Sequence, residues 1–334
     1  MRLKNRKIIK RSIGFAVILS MIISCSVKKN TAHFTGGKFS YAELSVKKGG
    51  HWEGRKYIGG TFENVSELDL PKQHTDHSFD IRYEGPGLEN NQIAYRLYLD
   101  WRNATDIFGK KVDSLVLPNV GQDGFDSYHE DADWGQDILK AGKSLGIGSY
   151  GRYEKSTSTV HPFKSVENTF TKIENSKTES SVSIYYKGWK MLNDNINLKS
   201  KLTIFPYDRF VKVDLSSSQN IDALCTGIVY FKDIPMTKSV SKSGKWAYIS
   251  TYGKQTLTDR NDTLGMAIFY KVEDVQELTQ NADNHLIIFK PTTKKLTYYF
   301  LGAWSDEPNG IKNKSEFLND LNKKLDKLDK DGKL

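Results

Sequence analysis

Most of this chain consists of short segments in which apolar and polar residues alternate, separated by residues typical of turns. A period of two indicates β-strands, because successive side chains of a strand point to opposite faces. Such segments cover 78–84, 92–102, 169–173, 181–187, 196–205, 227–231, 246–252, 264–270, 285–290 and 296–304, and 202–214 indicates a hairpin with its turn at 206–208. Residues 103–124 indicate an irregular connection. This pattern predicts an all-β fold, a large antiparallel β-sandwich.

Only the end of the chain has a helical period. Apolar residues recur there at helical spacing at Phe317, Leu318, Leu321, Leu325 and Leu328. Ser315 precedes them and is a residue type that caps helix N-termini. The sequence therefore predicts a short C-terminal helix with Ser315 as its cap.

The N-terminus is typical of a targeting segment. Residues 1–11 contain six basic residues and no acid, and an apolar run over 13–23 follows, ending just before Ser24 and Cys25. That run is short for a membrane span. The segment resembles a bacterial lipoprotein signal peptide, which implies cleavage after residue 24 and lipidation of Cys25. The alternative is an uncleaved anchor helix. We expect a signal peptide at 1–24, a tether at 25–38 and a single β-sandwich catalytic domain at 39–334.

The charge balance changes once this segment is set aside. The formal net charge of the whole chain is +9, and the six basic residues of 1–11 account for two thirds of it, leaving +3 (9 − 6). A nucleic-acid-binding function loses its main support. The lipid on Cys25 implies a cell-envelope lipoprotein, and the sequence after Cys25 favours the periplasmic face of the outer membrane. Cys225, the other cysteine, is expected to be a small buried residue.

The segment 92–102 carries unusual chemistry for a strand. Its alternation predicts that Arg96, Tyr98, Asp100 and Arg102 share one face. Two guanidiniums on one face form a potential clamp for a carboxylate or a sulfate. The alternative, a buried ladder of ion pairs, is equally compatible with these residues. Arg82, on the neighbouring segment, would extend the same surface.

His129 is the candidate general base. Asp126, Glu130 and Asp133 surround it in the sequence, and a carboxylate beside an imidazole orients the ring and raises its basicity. The alternative is a structural histidine that holds a loop in place.

Other classes of site have weaker support. His74, Asp76 and His77 lie close together, but their spacing matches no specific zinc motif, and the sequence does not indicate a third ligand. The chain has no phosphate-binding loop, dinucleotide fingerprint or nucleophile elbow. We therefore expect neither a metal nor a cofactor.

Several longer runs point to a family. YRLYLDWRNATDIFGKK (95–111) and GFDSYHEDADWGQDILKAGKSLGIGSYG (124–151) are the most specific, and LTIFPYDRFVKVD (202–214) is a weaker one. With these runs the chain resembles the domain-of-unknown-function 4861 family, some members of which resemble dehydratases of ulvan oligosaccharides. The family is similar to the galactose-mutarotase-like β-sandwich. The resemblance implies removal of water from the non-reducing-end uronic acid of an oligosaccharide, sulfated ones included, which gives a 4,5-unsaturated sugar.

The residue types allow roles to be assigned in such an elimination. Arg96 and Arg102 would neutralise the substrate carboxylate, and His129 and Tyr98 would act as base and acid. The expected substrate-binding residues are Arg82, Asp100, Trp101, Glu130, Asp133, Trp134, Lys143 and Lys254. The sequence leaves two alternatives open: a polysaccharide lyase acting by β-elimination and a non-catalytic glycan-binding lipoprotein.

Overall fold

The computed structural model describes residues 37–123, 127–191 and 193–334. The signal peptide, most of the tether, the lipidation site Cys25 and the predicted histidine neighbour Asp126 lie outside the described residues. Among the described residues, no helix combines the length and the apolar character needed to cross a membrane.

Strands dominate the described chain. They are β1 (Ser40–Glu43), β2 (Ser45–Glu53), β3 (Lys56–Asn64), β4 (Glu67–Asp69), β5 (Gly87–Asn90), β6 (Ile93–Leu97), β7 (Thr105–Lys110), β8 (Gly135–Asp137), β9 (Ile147–Glu154), β10 (Thr159–His161), β11 (Asn168–Asn175), β12 (Ser180–Met191), β13 (Asp194–Phe205), β14 (Asp208–Ser216), β15 (Leu224–Val229), β16 (Thr237–Val240), β17 (Trp246–Gly253), β18 (Leu264–Lys271), β19 (Val275–Gln280), β20 (Asn284–Phe289) and β21 (Leu296–Trp304). Short 3-10 helices cover Arg82–Glu84, Leu117–Asn119, Ser127–His129 and Val272–Asp274, and the α-helix α1 covers Lys314–Asp331.

The strands form a layered antiparallel sandwich. One sheet has nine strands in the order β16-β17-β18-β21-β14-β13-β12-β11-β4. Two five-stranded sheets, β1-β5-β6-β7-β8 and β10-β9-β15-β20-β19, pack against one face of it through the main hydrophobic core. Helix α1 packs on the other face, where Phe317 and Leu321 are fully buried. The predicted all-β, antiparallel fold with a C-terminal helix is confirmed.

The fourth sheet is a hairpin formed by β2 and β3. It was not predicted from the sequence. Two backbone hydrogen bonds tie it to the segment 74–84, from Tyr57 N to Ser78 O and from Lys47 N to Asp80 O, both at 2.8 Å. The hairpin therefore supports a segment that contributes to the candidate site described below.

Four local predictions were wrong. Residues 78–84 form no strand, because left-handed backbone at Phe79, Tyr83 and Glu84 breaks the extended conformation. The strand predicted over 92–102 ends at Leu97. Part of the supposed irregular connection is β7. The cap of α1 is Asn313, whose side chain accepts a hydrogen bond from Glu316 N at 2.9 Å.

Candidate active site

The candidate site lies on the outer face of the first five-stranded sheet. Along β6, Ile93, Tyr95 and Leu97 point into the main core, whereas Ala94 and Arg96 point to the opposite face. Tyr83, Phe108 and Tyr128 cover that outer face. Period-two alternation thus places a guanidinium on the face away from the main core, where short helices and loops enclose it.

Two carboxylates hold Arg96 in the interior. Its Nη2 lies 2.9 Å from Asp106 Oδ2 and 2.6 Å from Asp137 Oδ2. All three side chains are at most 2 % exposed. Arg96 and Asp106 are direct cross-strand partners, and Asp137 ends the next strand, β8. This arrangement is the buried ion-pair ladder, and it corrects the expectation that Arg96 binds a substrate carboxylate.

The buried cluster contains more carboxylates than guanidiniums, and this affects its titration. Burial and the neighbouring charge of Asp137 raise the pKa of Asp106 to about 7, although Arg96 acts in the opposite direction. Close like charges and low polarity both disfavour an ionised carboxylate. Asp106 is therefore partly protonated near neutral pH.

His129 reaches the same cluster from the surface. Its Nδ1 lies 3.3 Å from Asp137 Oδ2, and its side chain is 36 % exposed. The ring also lies against Tyr128, with centroids 4.6 Å apart. A carboxylate at Nδ1 favours the tautomer that carries its proton on that nitrogen. The predicted partners Glu130 and Asp133 lie in the exposed part of this loop, and the orienting carboxylate is Asp137.

Tyr98 connects the buried cluster to Arg102. Its ring lies 4.7 Å from the Arg96 guanidinium and 4.0 Å from that of Arg102. Its hydroxyl donates a hydrogen bond to Asp106 Oδ2 at 2.9 Å. Burial raises the pKa of this phenol well above its usual value. The predicted grouping of Arg96, Tyr98 and Arg102 on one side of the sheet is present, even though the strand ends before Tyr98.

Arg102 is surrounded by acidic side chains. Its Nη2 lies 2.5 Å from Asp100 Oδ2, 2.9 Å from Glu84 Oε1 and 3.1 Å from Asp76 Oδ1. The Arg102 side chain is 16 % exposed, so one edge of this group faces solvent. The Asp100 residue borders the groove beside Trp101, but its side chain has no exposed surface and positions Arg102, which corrects the predicted contact of its carboxylate with the substrate.

Strained backbone brings the acidic groups to Arg102. Within the segment 74–84, φ is positive at His77 (56°), Phe79 (61°), Tyr83 (41°) and Glu84 (67°). Side-chain-bearing residues adopt this conformation at a cost, and it often marks a functional site. The close group of histidines expected at 74–77 is divided, because His74 turns inward to Asp80 at 2.9 Å while His77 lies beside Glu84.

The other predicted binding residues are dispersed. Arg82 is 1 % exposed and pairs with Glu43 and the carbonyl of Pro118, so it cannot reach a substrate. Trp134 packs against Phe108, with ring centroids 6.0 Å apart. Lys143 and Lys254 are exposed.

Trp101 lies at the surface next to the site. It is 37 % exposed and lines a groove of about 490 Å³ together with Asp100 and His74. The ammonium of Lys164 lies 5.3 Å from its ring centroid. This placement is compatible with the predicted role of Trp101 in substrate binding.

Sequence reasoning missed three important residues, Glu84, Asp106 and Asp137, as partners of the site. Glu84 was expected, with Arg82, to extend the charged surface from the neighbouring segment, and Asp106 fell in the supposed connection. Asp137 lies in the same run, 124–151, as His129 but eight residues away, and no local spacing relates the two. Only the pairing of β7 with β8 places Asp137 beside Arg96.

Comparison with known families identifies the chain. The family model described as "Domain of unknown function (DUF4861)" matches residues 20–333. The chain belongs to this family. The resemblance seen in the sequence is thereby confirmed at the level of the family, and the comparison with curated proteins gave no match.

Solved structures with a similar chain course include three proteins. A candidate aldose 1-epimerase from Klebsiella pneumoniae is 9% identical, with a TM-score of 0.34 and coverage of 86% of this chain and 95% of that chain. A 4-alpha-glucanotransferase from Thermococcus litoralis is 10% identical, with a TM-score of 0.30 and coverage of 71% and 39%. A candidate kojibiose phosphorylase from the human microbiome is 11% identical, with a TM-score of 0.32 and coverage of 72% and 32%. The chain thus spans less than half of the latter two.

Proposed function

We propose that this DUF4861 protein is a carbon–oxygen lyase of the hydro-lyase type, which removes water from the non-reducing-end uronic acid of oligosaccharides. The observation that carries the proposal is the partly exposed His129 imidazole on the buried carboxylate of Asp137, which contacts through Arg96 the ring of Tyr98, against which Arg102 packs. Arg96 joins these parts, since it contacts both Asp137 and the Tyr98 ring. A 4,5-elimination needs a base, an acid and a cationic group, and all three types are present here.

The base in this proposal is His129. Its Nε2 takes the C5 proton, and Asp137 stabilises the imidazolium that forms. The electron pair of the broken C5–H bond passes to the sugar carboxylate as an enolate and then forms the C4–C5 double bond as the C4–O bond breaks. An oriented base of this kind contributes on the order of 10²–10⁴ in rate.

The acid in this proposal is Tyr98, which protonates the departing C4 hydroxyl so that it leaves as water. Asp106 lies 2.9 Å from the Tyr98 oxygen and is partly protonated near neutral pH, and in its protonated form it can replace the proton that Tyr98 donates. The side chain that faces the substrate carboxylate is Arg102, since Arg96 is buried. Arg102 would contribute positive charge toward the enolate, which the carboxylates of Asp76, Glu84 and Asp100 around it partly cancel.

The test is an incubation of the purified protein with saturated glucuronyl oligosaccharides, followed by absorbance of the conjugated alkene and mass spectrometry. Dehydration predicts a rise in absorbance and the loss of one water without shortening of the chain. A lyase would shorten the oligosaccharide, and a binding protein would retain the glycan without any product. Either outcome would contradict the proposal.

A matched histidine variant makes this test specific. His129→Ala should abolish the product. His161→Ala should not, although His161 is similarly exposed at 33 % and also has a carboxylate partner, Glu154 at 2.8 Å. Equal loss in both variants would indicate damage to the fold instead of loss of a base.

We also propose that the protein acts at the cell envelope, anchored by a lipid on Cys25, with uronic-acid oligosaccharides as its partners. The basic and apolar segments before Cys25 support this proposal. Metabolic labelling with a fatty-acid analogue should mark the wild-type chain and not Cys25→Ser. Equal labelling of both would exclude the anchor.

A further inference from the structure

A group of side chains with metal-binding chemistry lies beside Arg102, apart from the ion-pair cluster at Arg96. Asp76, His77 and Glu84 each offer a ligand atom, and these atoms lie within 4.8 Å of one another. The sequence offered His74, Asp76 and His77, but His74 pairs with Asp80 in the structure, which leaves Asp76 and His77 without a third ligand from that stretch. The tertiary structure supplies it, because the chain turns back and places Glu84 Oε1 3.7 Å from His77 Nδ1.

The three side chains differ in exposure, as they do in metal sites that open to solvent. The Glu84 side chain is 5 % exposed, Asp76 is 30 % exposed and His77 is 42 % exposed. One ligand is thus anchored in the protein while the other two border solvent. An ion could enter from the solvent side and keep positions open for water or a substrate oxygen.

The charges of the group favour a cation. Three carboxylates, those of Asp76, Glu84 and Asp100, contact the single guanidinium of Arg102. Three negative charges and one positive charge leave a formal surplus of two negative charges at one place. Confining like charges without a counter-ion is costly, and a divalent cation would balance this surplus.

The ligands are also held in place by their surroundings. Glu84 Oε1 accepts a hydrogen bond from His77 N at 3.0 Å and from Arg102 Nη2 at 2.9 Å. The guanidinium of Arg55 donates to the backbone carbonyl of Asp76, and Tyr57 N bonds to Ser78 O. Hydrogen bonds of this kind orient metal ligands and tune their affinity.

We propose that Asp76, His77 and Glu84 bind one divalent transition-metal ion, Zn²⁺ or Mn²⁺. An imidazole with two carboxylates suits these ions better than the all-oxygen sites preferred by Mg²⁺ and Ca²⁺. Three protein ligands with open positions are typical of a catalytic and not of a structural metal. The inference does not rest on the dehydratase proposal, since binding is measurable without substrate.

The first experiment uses the full-length wild-type protein. The protein is stripped with a chelator, dialysed, and titrated with Mn²⁺ while the electron paramagnetic resonance signal of free Mn²⁺ is followed. Competition with Zn²⁺, Mg²⁺ and Ca²⁺ ranks the ions. The proposal predicts one saturable site per chain from which Zn²⁺ displaces Mn²⁺. Absence of saturable uptake of either ion would overturn it and would indicate that a protonated His77 is the counter-ion.

The second experiment locates the site. His77→Ala and Glu84→Gln should each weaken Mn²⁺ binding at least about tenfold, as loss of a ligand or of its orienting contact does. His161→Ala, which removes a histidine paired with the single carboxylate of Glu154, should leave binding unchanged. Because Glu84→Gln also removes a partner of Arg102, the thermal unfolding midpoint of each variant is compared first. Unchanged binding in folded His77→Ala would overturn the assignment.

Discussion

The proposed chemistry is best tested at Asp137, with the substitution Asp137→Asn. The substitution keeps the size of the side chain and removes its charge. Asp137 contacts both Arg96 at 2.6 Å and His129 at 3.3 Å. The variant should therefore affect stability through one contact and catalysis through the other, and the two effects can be separated.

The effect on stability should be modest. Arg96 keeps Asp106 at 2.9 Å, and loss of the charge at Asp137 removes the repulsion between the two carboxylates. A hydrogen bond to a charged group is worth about 1.5–3 kcal/mol, and the relief of repulsion offsets part of it. We expect the free energy of unfolding to fall by about 1–2 kcal/mol, measured by denaturant unfolding.

Arg96→Gln is the contrasting variant. It leaves two carboxylates, both at most 2 % exposed, without their guanidinium. Breaking a buried pair in this way costs about 3–5 kcal/mol. The order of the two variants matters more than either value. If Asp137→Asn were more destabilising than Arg96→Gln, the cluster would not behave as one guanidinium shared by two carboxylates.

The effect on turnover should be large. Without the carboxylate, the asparagine amide can face Nδ1 of His129 as a donor and favour the wrong tautomer, and the imidazolium loses its partner. We expect kcat for alkene formation to fall on the order of 10²–10⁴-fold with little change in KM. A folded Asp137→Asn protein with wild-type turnover would refute the role of His129 as a base oriented by Asp137.

Three further predictions concern the pH dependence of stability, the surface groove and the helix cap. The pKa of Asp106 is raised to about 7, so between about pH 4 and 7 the folded protein binds a proton that the unfolded chain does not. The contribution of protonated Asp106 to the free energy of unfolding therefore falls as pH rises through that window. The unfolding midpoint of wild type minus that of Asp106→Asn should therefore be larger near pH 5 than near pH 8, and a pH-independent difference would contradict it. Trp101→Ala should raise KM for oligosaccharides more than it lowers kcat, because Trp101 lines the groove. Tyr207 is a 52 % exposed tyrosine of the β13–β14 turn, and the control Tyr207→Ala should leave both constants unchanged. Asn313→Ala should lower the free energy of unfolding by about 1 kcal/mol through loss of the cap on α1, and no change in denaturant unfolding would contradict the cap.

The parts of the fold that were predictable are those governed by local periodicity. The hairpin of β13 and β14, with its turn after Phe205, and the apolar stripe of α1 follow from residue types within a few positions of one another. The segment 78–84 was not predictable in this way. Its alternation imitates a strand, but contacts with the β2–β3 hairpin accompany a left-handed backbone there.

The same distinction between local periodicity and tertiary contacts applies to the candidate site. Alternation by itself determined that Arg96 lies on the face opposite Ile93, Tyr95 and Leu97, because a strand offers a side chain only two faces. The sequence also determined the family and the nearly all-β fold. Only the tertiary structure decided that Arg96 is buried between two carboxylates, whereas the guanidinium of Arg102 is partly exposed. It also decided that Asp137 lies beside His129 and that Glu84 lies beside Asp76 and His77. These pairings depend on strand register and on backbone strain supported by distant contacts, and neither is encoded in the spacing of the residues that meet.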